Sequence, residues 1–240
     1  IIVIGNEILS GRTKDANTST LSTWLNSLGI KVQEVRTIPD IEKNIVNTVN
    51  ELRKKYDYIF TTGGIGPTHD DITASSISKA FNLTYGPHSE AMSILEKYYK
   101  LDEFNEGRKK MACMPKDANL ILNPTSGAPG FNVENVFCLP GVPSILKSML
   151  GGITHKLIGG DPIFSHTINL RTVESEIAKS LSNVQDKNKD VDIGSYPFFR
   201  AGRLGVAIVL RSSKQDKIGK CNSEIVKFVK EKNIEIVKED

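Results

Sequence analysis

The chain has 240 residues, 39% of them hydrophobic, so it can bury a core large enough for one large domain or two smaller ones. The formal net charge is only +3, and the short Lys/Arg clusters are mixed with acidic residues, which argues against a nucleic-acid partner. The three cysteines follow no metal-ligand spacing, and no apolar run is long enough to cross a bilayer. We therefore expect a cytoplasmic protein with no disulfide, no zinc and no membrane partner.

Short β-branched runs alternate with helical patterns through the first part of the chain, which is typical of a doubly wound α/β fold with a mostly parallel sheet. The periodicity predicts strand 1–4, helix 17–28, strand 31–37, helix 41–54, strand 58–61, helix 73–81, helix 88–99, a strand or hairpin within 132–139, and helix 144–150.

A second, smaller unit is expected after two turn-like Gly-Gly pairs, at 151–152 and 159–160. We set the domains at residues 1–155 and 162–240. The second contains strand 165–171, helix 173–184, strand 191–196, strand 204–210, helix 215–231 and strand 234–237. This βαββαβ order predicts a split-βαβ α+β domain, a small sheet with both helices on one face.

The stretch TTGGIGPTHDDIT follows a buried strand and is the strongest candidate for a binding loop. Ligands of open α/β sheets bind beyond the carboxyl ends of the strands. Gly63, Gly64 and Gly66 lack side chains, so backbone N–H groups could approach a phosphate closely. Asp70 and Asp71 would repel a bare phosphate, which predicts a bridging divalent cation such as Mg²⁺. The alternative is that one of these aspartates caps the following helix.

Two further turns follow apolar strands and belong to the same predicted edge of the sheet. One is GNEILSG after the first strand, and the other is PGVPS before a helix. Helix capping and a plain strand-to-helix turn are the alternatives at these two positions. The candidates here are Asn6, Glu7, Ser10, Gly11, Gly141 and Ser144.

Several motifs together resemble a known superfamily. GGIGPTHDDIT resembles the GGxGPTxxDxT signature of the molybdopterin-binding-like proteins, which include MogA, gephyrin and CinA. GNEILSGRTKDANT, NPTSGAPGF, PGVPS and GSYP extend the resemblance over nearly the whole chain and point to the CinA N-terminal type. The HDD variant is most similar to the N-terminal domain of animal FAD synthases.

The resemblance implies a divalent-metal-dependent nucleotide pyrophosphatase that cleaves ADP-ribose or FAD-like dinucleotides to AMP and a second phosphate. It implies Mg²⁺, Mn²⁺ or Co²⁺ as the cofactor, Asp70 and Asp71 as metal ligands, and Asp70, Asp71 and Glu7 as catalytic groups. The substrate contacts that follow from it are Gly63, Gly64, Gly66, Pro67, Thr68, Thr73, Lys110 and Tyr196. Lys109 precedes Lys110 in the same basic pair, and a solvated lysine is the alternative there.

Other functions remain open at this point. The chain could bind molybdopterin or its adenylate without hydrolysis, or it could be a non-catalytic interaction subunit that keeps the fold. Asn6 stands where many relatives have Asp, which leaves one ligand charge fewer in that loop. The resemblance also implies a homo-oligomer.

Overall fold

The computed structural model describes residues 1–200 and 202–237, apart from the side chains at 200 and 203. The chain forms two compact units, one of Ile1–Leu25 with Lys31–Ile158 and the other of Asn26–Ile30 with Gly159–Asp240. Within the described ranges, no helix is both long and apolar enough to span a bilayer.

The first unit contains a six-stranded sheet in the order β2-β1-β3-β8-β7-β6. The strands β2, β1, β3 and β8 are parallel, and β7 and β6 are added antiparallel. The strands β4 and β5 form a separate antiparallel pair. The elements are β1 (Ile2–Ile4), α1 (Asn6–Leu9), α2 (Asn17–Ser27), β2 (Arg36–Ile38), α3 (Glu42–Leu52), β3 (Ile59–Thr62), α4 (Thr73–Ala80), β4 (Tyr85–Pro87), α5 (Ser89–Tyr98), α6 (Glu106–Lys110), β5 (Cys113–Pro115), β6 (Asn119–Ile121), β7 (Gly130–Val133), β8 (Val136–Leu139), α7 (Pro143–Met149) and a 3₁₀ helix (Leu150–Lys156).

Both faces of this sheet are covered, which confirms the predicted doubly wound fold. Ile59 packs into a core shared with α3, α4 and α5, whereas the next residue, Phe60, points to the other face. There Phe60 stacks on Phe137, and Trp24 of α2 meets it edge-on with ring centroids 6.0 Å apart. Successive side chains of a strand point to opposite faces, so a strand buried on both sides is apolar at every position.

The second strand is shorter than predicted. Residues 31–37 were expected to be extended, but only Arg36–Ile38 pairs, in register with Ile2–Ile4. The residues before Arg36 are not paired as a strand, and Val35 is 43% exposed.

The second unit has the predicted split-βαβ topology. Its elements are β9 (Phe164–Leu170), α8 (Glu174–Lys187), β10 (Asp192–Arg200), β11 (Arg203–Ser212), α9 (Gln215–Glu231) and β12 (Ile236–Val237). The strands form an antiparallel sheet in the order β10-β11-β9-β12. Alternate residues such as Leu170, Ile208 and Leu210 are buried with Ile177 of α8 and Ile225 of α9, so both helices cover one face.

Candidate functional site

The carboxyl ends of the parallel strands bring the candidate loops to one edge of the sheet. The Gly5 N–H donates to Ile38 O across the ends of β1 and β2 at 3.2 Å. The Gly63 N–H donates to Leu139 O across the ends of β3 and β8 at 3.1 Å. The turns after all four strands therefore meet, as the topology of an open α/β sheet requires.

The glycine loop is held so tightly that side chains would not fit at its first two glycines. Gly63 has φ 98° and Gly64 has φ 69°, a region that L side chains rarely adopt. A Cβ at Gly63 would overlap the Ile4 carbonyl, and a Cβ at Gly64 would overlap the Thr73 hydroxyl. Glycine is required at both positions because the loop backbone lies directly against β1 and the start of α4.

Thr73 holds the glycine loop in place through two hydrogen bonds. It is fully buried at the first position of α4. Its hydroxyl donates to Gly63 O at 3.0 Å, and its N–H donates to Gly64 O at 2.9 Å. In this position Thr73 supports the loop backbone, so any contact with a ligand would be made by the residues that it positions.

The two neighbouring aspartates have different surroundings. The Asp71 carboxylate accepts hydrogen bonds through Oδ2 from the Thr68 N–H at 2.8 Å and from the Thr68 hydroxyl, which closes the turn over Gly66. Asp70 is exposed. The Thr68 side chain lies close to both carboxylates, and with the backbone N–H of Asp70 and the nearby His69 and Lys110 charges it lowers the pKa of Asp70, so this carboxylate is ionised at neutral pH.

Only one lysine of the basic pair turns toward the glycine loop. The Lys110 ammonium, at the end of α6, donates to Thr68 O within that loop. The Lys109 ammonium instead pairs with Glu106 at 2.7 Å on the same helix. Lys110 is therefore the cation available beside Asp70, and Lys109 belongs to the exposed surface of α6.

Asp40 is a site candidate that the sequence analysis missed. It lies two residues beyond β2, and its Oδ2 accepts the Asn6 N–H at 2.8 Å. Partial burial raises the pKa of Asp40 despite that bond, and the negative charges of Glu7 and Asp70 raise it further. The negative charges of Glu7 and Asp70 are thus both close enough to act on the Asp40 carboxylate. The sequence feature that could have identified Asp40 was its position just after a predicted parallel strand.

Glu7 lies over the end of β1. A Cβ at Gly5 would lie 2.6 Å from its Oε1, so the glycine leaves room for the Glu7 carboxylate to fold back over the strand end. The Asn6 side chain is exposed, and it is the Asn6 backbone that contacts Asp40. The carboxylate of Asp40 thus lies against the backbone of Asn6, beside the end of β1.

A second missed pair, Asp15 and Asn17, joins α2 to the turn after β8. The Asp15 carboxylate caps α2 by accepting from the N–H groups of Asn17 and Thr18 at 2.9 and 3.2 Å. The Asn17 amide donates to Gly141 O at 2.8 Å. Asn17 is 5% exposed, and its Oδ1 is a buried acceptor without a partner among the described residues.

The remaining candidates are more peripheral. Ser10 donates its hydroxyl to Glu7 O at 3.2 Å, and Gly11 has φ 73° in the exposed turn after α1. Pro67 lies against α6, and Ser144 is exposed in the first turn of α7. Tyr196 is in the second unit, where it is 46% exposed and accepts a hydrogen bond from Arg211 at 3.4 Å.

The carboxylates do not form a ready-made metal cage. Among the described residues, no group of three or more His, Cys, Asp or Glu side chains is arranged to hold a metal ion. The donors at this edge are oxygen atoms on exposed or half-buried carboxylates, which suits a hard cation that keeps several water ligands. Mg²⁺ is commonly bound in this way, by one or two carboxylates together with substrate phosphates.

The fold defines a doubly wound α/β protein with a split-βαβ second unit, and comparison with known families identifies the class. The profile described as a probable molybdopterin binding domain matches residues 1–159. The profile described as the middle domain of FAD synthase matches residues 162–238. The chain therefore belongs to the molybdopterin-binding-domain family and is a CinA-type member of it.

Individual relatives agree with this assignment. A protein of Archaeoglobus fulgidus is 35% identical over 82% of this chain and 84% of its own length. A CinA-like protein of Prochlorococcus marinus is 31% identical over 90% of this chain and 52% of its own length. The solved structure of a Thermoplasma acidophilum CinA protein of unknown function is 30% identical and has a TM-score of 0.61, covering 65% of this chain and 94% of that one.

Proposed function

We propose that the protein hydrolyses the pyrophosphate bond of ADP-ribose or an FAD-like dinucleotide in the presence of a divalent cation. Water adds across the P–O–P bridge and gives AMP and a second phosphate monoester. The observation that carries this proposal is the meeting, at one edge of the sheet, of a glycine loop, the Lys110 ammonium and the carboxylates of Asp40 and Asp70. The match of the second unit to a domain of FAD synthase supports a nucleotide as substrate.

The donor set of this edge fits a divalent cation. Asp70 is the exposed, ionised carboxylate, and Asp71 closes its turn through Oδ2, so we propose Asp70 as the principal ligand and Asp71 as a second ligand or a support of the loop. Such an ion, when bound, would neutralise phosphate charge and lower the pKa of a coordinated water. Mg²⁺, Mn²⁺ and Co²⁺ are the candidates.

The chain's own groups supply the remaining chemistry. The backbone N–H groups around Gly64 and Gly66 and the Lys110 ammonium would stabilise the negative charge that develops on the phosphoryl oxygens. Glu7 or Asp40 would accept the proton of the attacking water, and for Asp40 the raised pKa makes the carboxylate a better base. We further propose that Asp40, bonded to the Asn6 backbone, supplies the negative charge that the family resemblance leads us to expect at position 6.

A second candidate function is the binding of molybdopterin or its adenylate without hydrolysis. The profile that matches residues 1–159 is that of a probable molybdopterin binding domain, and a phosphate-bearing pterin would use the same glycine loop. Hydrolysis, unlike binding alone, requires a metal ion and acidic groups near the phosphates. Asp40 and Asp70 are the acidic groups that we propose for this role.

Release of AMP separates the two candidates. Purified protein would be incubated with ADP-ribose or FAD and Mg²⁺, Mn²⁺ or Co²⁺, with parallel samples in chelator. We expect chelator-sensitive production of AMP in equal amounts with ribose 5-phosphate or FMN. Failure of well-folded protein to release AMP with any of the metals, together with tight binding of a pterin phosphate, would overturn hydrolysis in favour of binding.

A further inference from the structure

A cavity of about 500 Å³ lies beside the antiparallel pair β4 and β5 in the first unit. The proposed reaction centre does not include it. Its walls come from both strands and from the turns that follow them, and its volume falls in the range of roughly 300–1,000 Å³ found for small-molecule sites. Its lining includes Tyr85, Pro87, His88, Pro115, Lys116 and the acidic Asp117.

The cavity adjoins the glycine loop through one shared side chain. Tyr85 lines the 500 Å³ cavity and also a narrow cleft bordered by Gly66, Asp71 and Lys110. Tyr85 of β4 lies opposite Pro115 of β5. Cys113, which is also on β5, borders the narrow cleft. Tyr85 is thus the residue that the larger cavity and the cleft beside the glycine loop have in common.

The lining suits a flat ring with polar substituents. Tyr85, Pro87 and Pro115 present rigid apolar surfaces, and Lys116 supplies a hydrogen-bonding group, whereas His88 Nδ1 already accepts the Ala91 N–H at 3.4 Å. The walls are also fixed, because the Lys116 N–H donates to Thr84 O at 2.8 Å and the His88 N–H donates to Ala112 O at 2.9 Å. Tyr85 is 39% exposed, so a face of its ring is accessible to a ligand.

We propose that this cavity, called the Tyr85 cavity here, is the subsite for the heteroaromatic ring of a nucleoside phosphate. The ring would stack on Tyr85 while the phosphates extend to the glycine loop and Lys110. This assignment extends the proposed function to the ring of the substrate. It rests on the proposed function in one respect, namely that the substrate contains a pyrophosphate bond. The binding of a ring-bearing monophosphate does not depend on hydrolysis and can be measured separately.

Equilibrium binding of AMP and of FMN in the presence of Mg²⁺ tests the subsite without any turnover, because neither monophosphate has a pyrophosphate bond to cleave. We expect at least one of the two to bind the wild-type protein. Replacing Tyr85→Ala should weaken that binding about tenfold, in line with base–aromatic stacking energies, and Tyr85→Phe should restore it. Lys116→Ala should also weaken binding, whereas Lys97→Ala, at an exposed position on α5 outside the cavity, serves as the matched control and should not.

A second variant, which fills the cavity, tests the subsite even if Tyr85→Ala fails to fold. Ser89 lines the cavity at the exposed first position of α5, so Ser89→Trp should block the ring without removing a buried group. Wild-type binding that is unchanged in both Tyr85→Ala and Ser89→Trp would overturn the subsite, and so would failure of wild type to bind either monophosphate. If AMP or FMN binds as expected but no metal supports hydrolysis, the subsite stands and the proposed reaction falls.

Discussion

At the scale of single residues, the glycine loop shows how backbone conformation and packing jointly determine sequence. Gly64 combines a positive φ with direct contact to the buried Thr73 hydroxyl. Neither constraint can be relieved by moving a flexible side chain, because Thr73 is bonded to Gly63 O and lies in the core. The loop is thus a fixed surface of backbone donors, which is the property that an anion site needs.

Gly64→Ala should therefore destabilise the fold. We expect a loss of about 2–4 kcal/mol in the free energy of unfolding, from the strained φ together with the overlap at Thr73. Chemical denaturation of the variant and of wild type measures it. Gly219→Ala is the control, since the Cβ at Gly219 meets open space on α9; equal losses in both variants would contradict the packing argument.

The lysine pair provides a second test at this scale. Lys110 contacts the glycine loop, whereas Lys109 pairs with Glu106. Lys110→Ala should lower kcat/KM for AMP release by roughly 10–100-fold, because it removes a cation near the phosphates. Lys109→Ala should change it less than about twofold, since an exposed ion pair contributes little. The opposite ranking in steady-state kinetics would show that the other lysine faces the substrate.

At the scale of elements, the start of β2 is held by a charge network. Glu34 accepts hydrogen bonds from Tyr56 OH at 2.6 Å, from Arg36 and from Lys55 at 3.1 Å. These bonds, the Tyr56 bond first, lower the pKa of Glu34 from 4.5 to about 2. The network joins the chain before β2 to Lys55 and Tyr56, which follow α3.

The stability supplied by Glu34 should depend on pH. Its folded-state pKa lies below the unfolded value, so the contribution is present above pH 4.5 and is lost as the pH falls through about 2. Glu34→Gln should therefore lower Tm at pH 7, and the deficit should shrink between pH 4.5 and pH 2. Thermal melts over this range test it, with exposed Glu96→Gln on α5 as control. A deficit independent of pH would contradict the electrostatic explanation.

The long periodic elements could be predicted from sequence, and the short ones could not. The run Ile59–Thr62 is buried at every position, and its continuous apolar pattern predicts a strand covered on both faces. The helix α3 is buried along one face, and its apolar residues recur at helical spacing. The pair β4 and β5 has three-residue strands containing Gly86, Pro87 and Pro115, which carry no strand signal. The Tyr85 cavity was missed for the same reason.

The site shows the same limit. Spacing identified the glycine loop and its acidic pair, but it could not distinguish Asp70 from Asp71, which differ through the bonds of Thr68 to Asp71. Asp40 was missed because its contact with Asn6 joins residues that are 34 positions apart. Contacts of that range depend on the order of strands in the sheet, which local patterns do not encode.

At the scale of the whole molecule, the homo-oligomer remains a prediction with a specific surface to test. Phe199 and Leu204 face each other across β10 and β11, and they are 69% and 57% exposed. Paired apolar side chains at the surface often mark sites of self-association. Sedimentation at micromolar concentration should show a species heavier than the 26.4 kDa chain, and Phe199→Ser should reduce it. A monomer in wild type would contradict the prediction.

The central claim is that an acidic, metal-assisted site at the carboxyl edge of the sheet cleaves a nucleotide pyrophosphate. The most direct measurement is the rate of AMP release from ADP-ribose with saturating Mg²⁺ for wild type, Asp70→Asn, Asp40→Asn and the control Asp102→Asn, which changes an exposed aspartate outside the site. We predict chelator-sensitive turnover that falls at least about 100-fold in the first two variants and is kept in the control. Turnover in Asp70→Asn and Asp40→Asn equal to that of wild type would contradict the account.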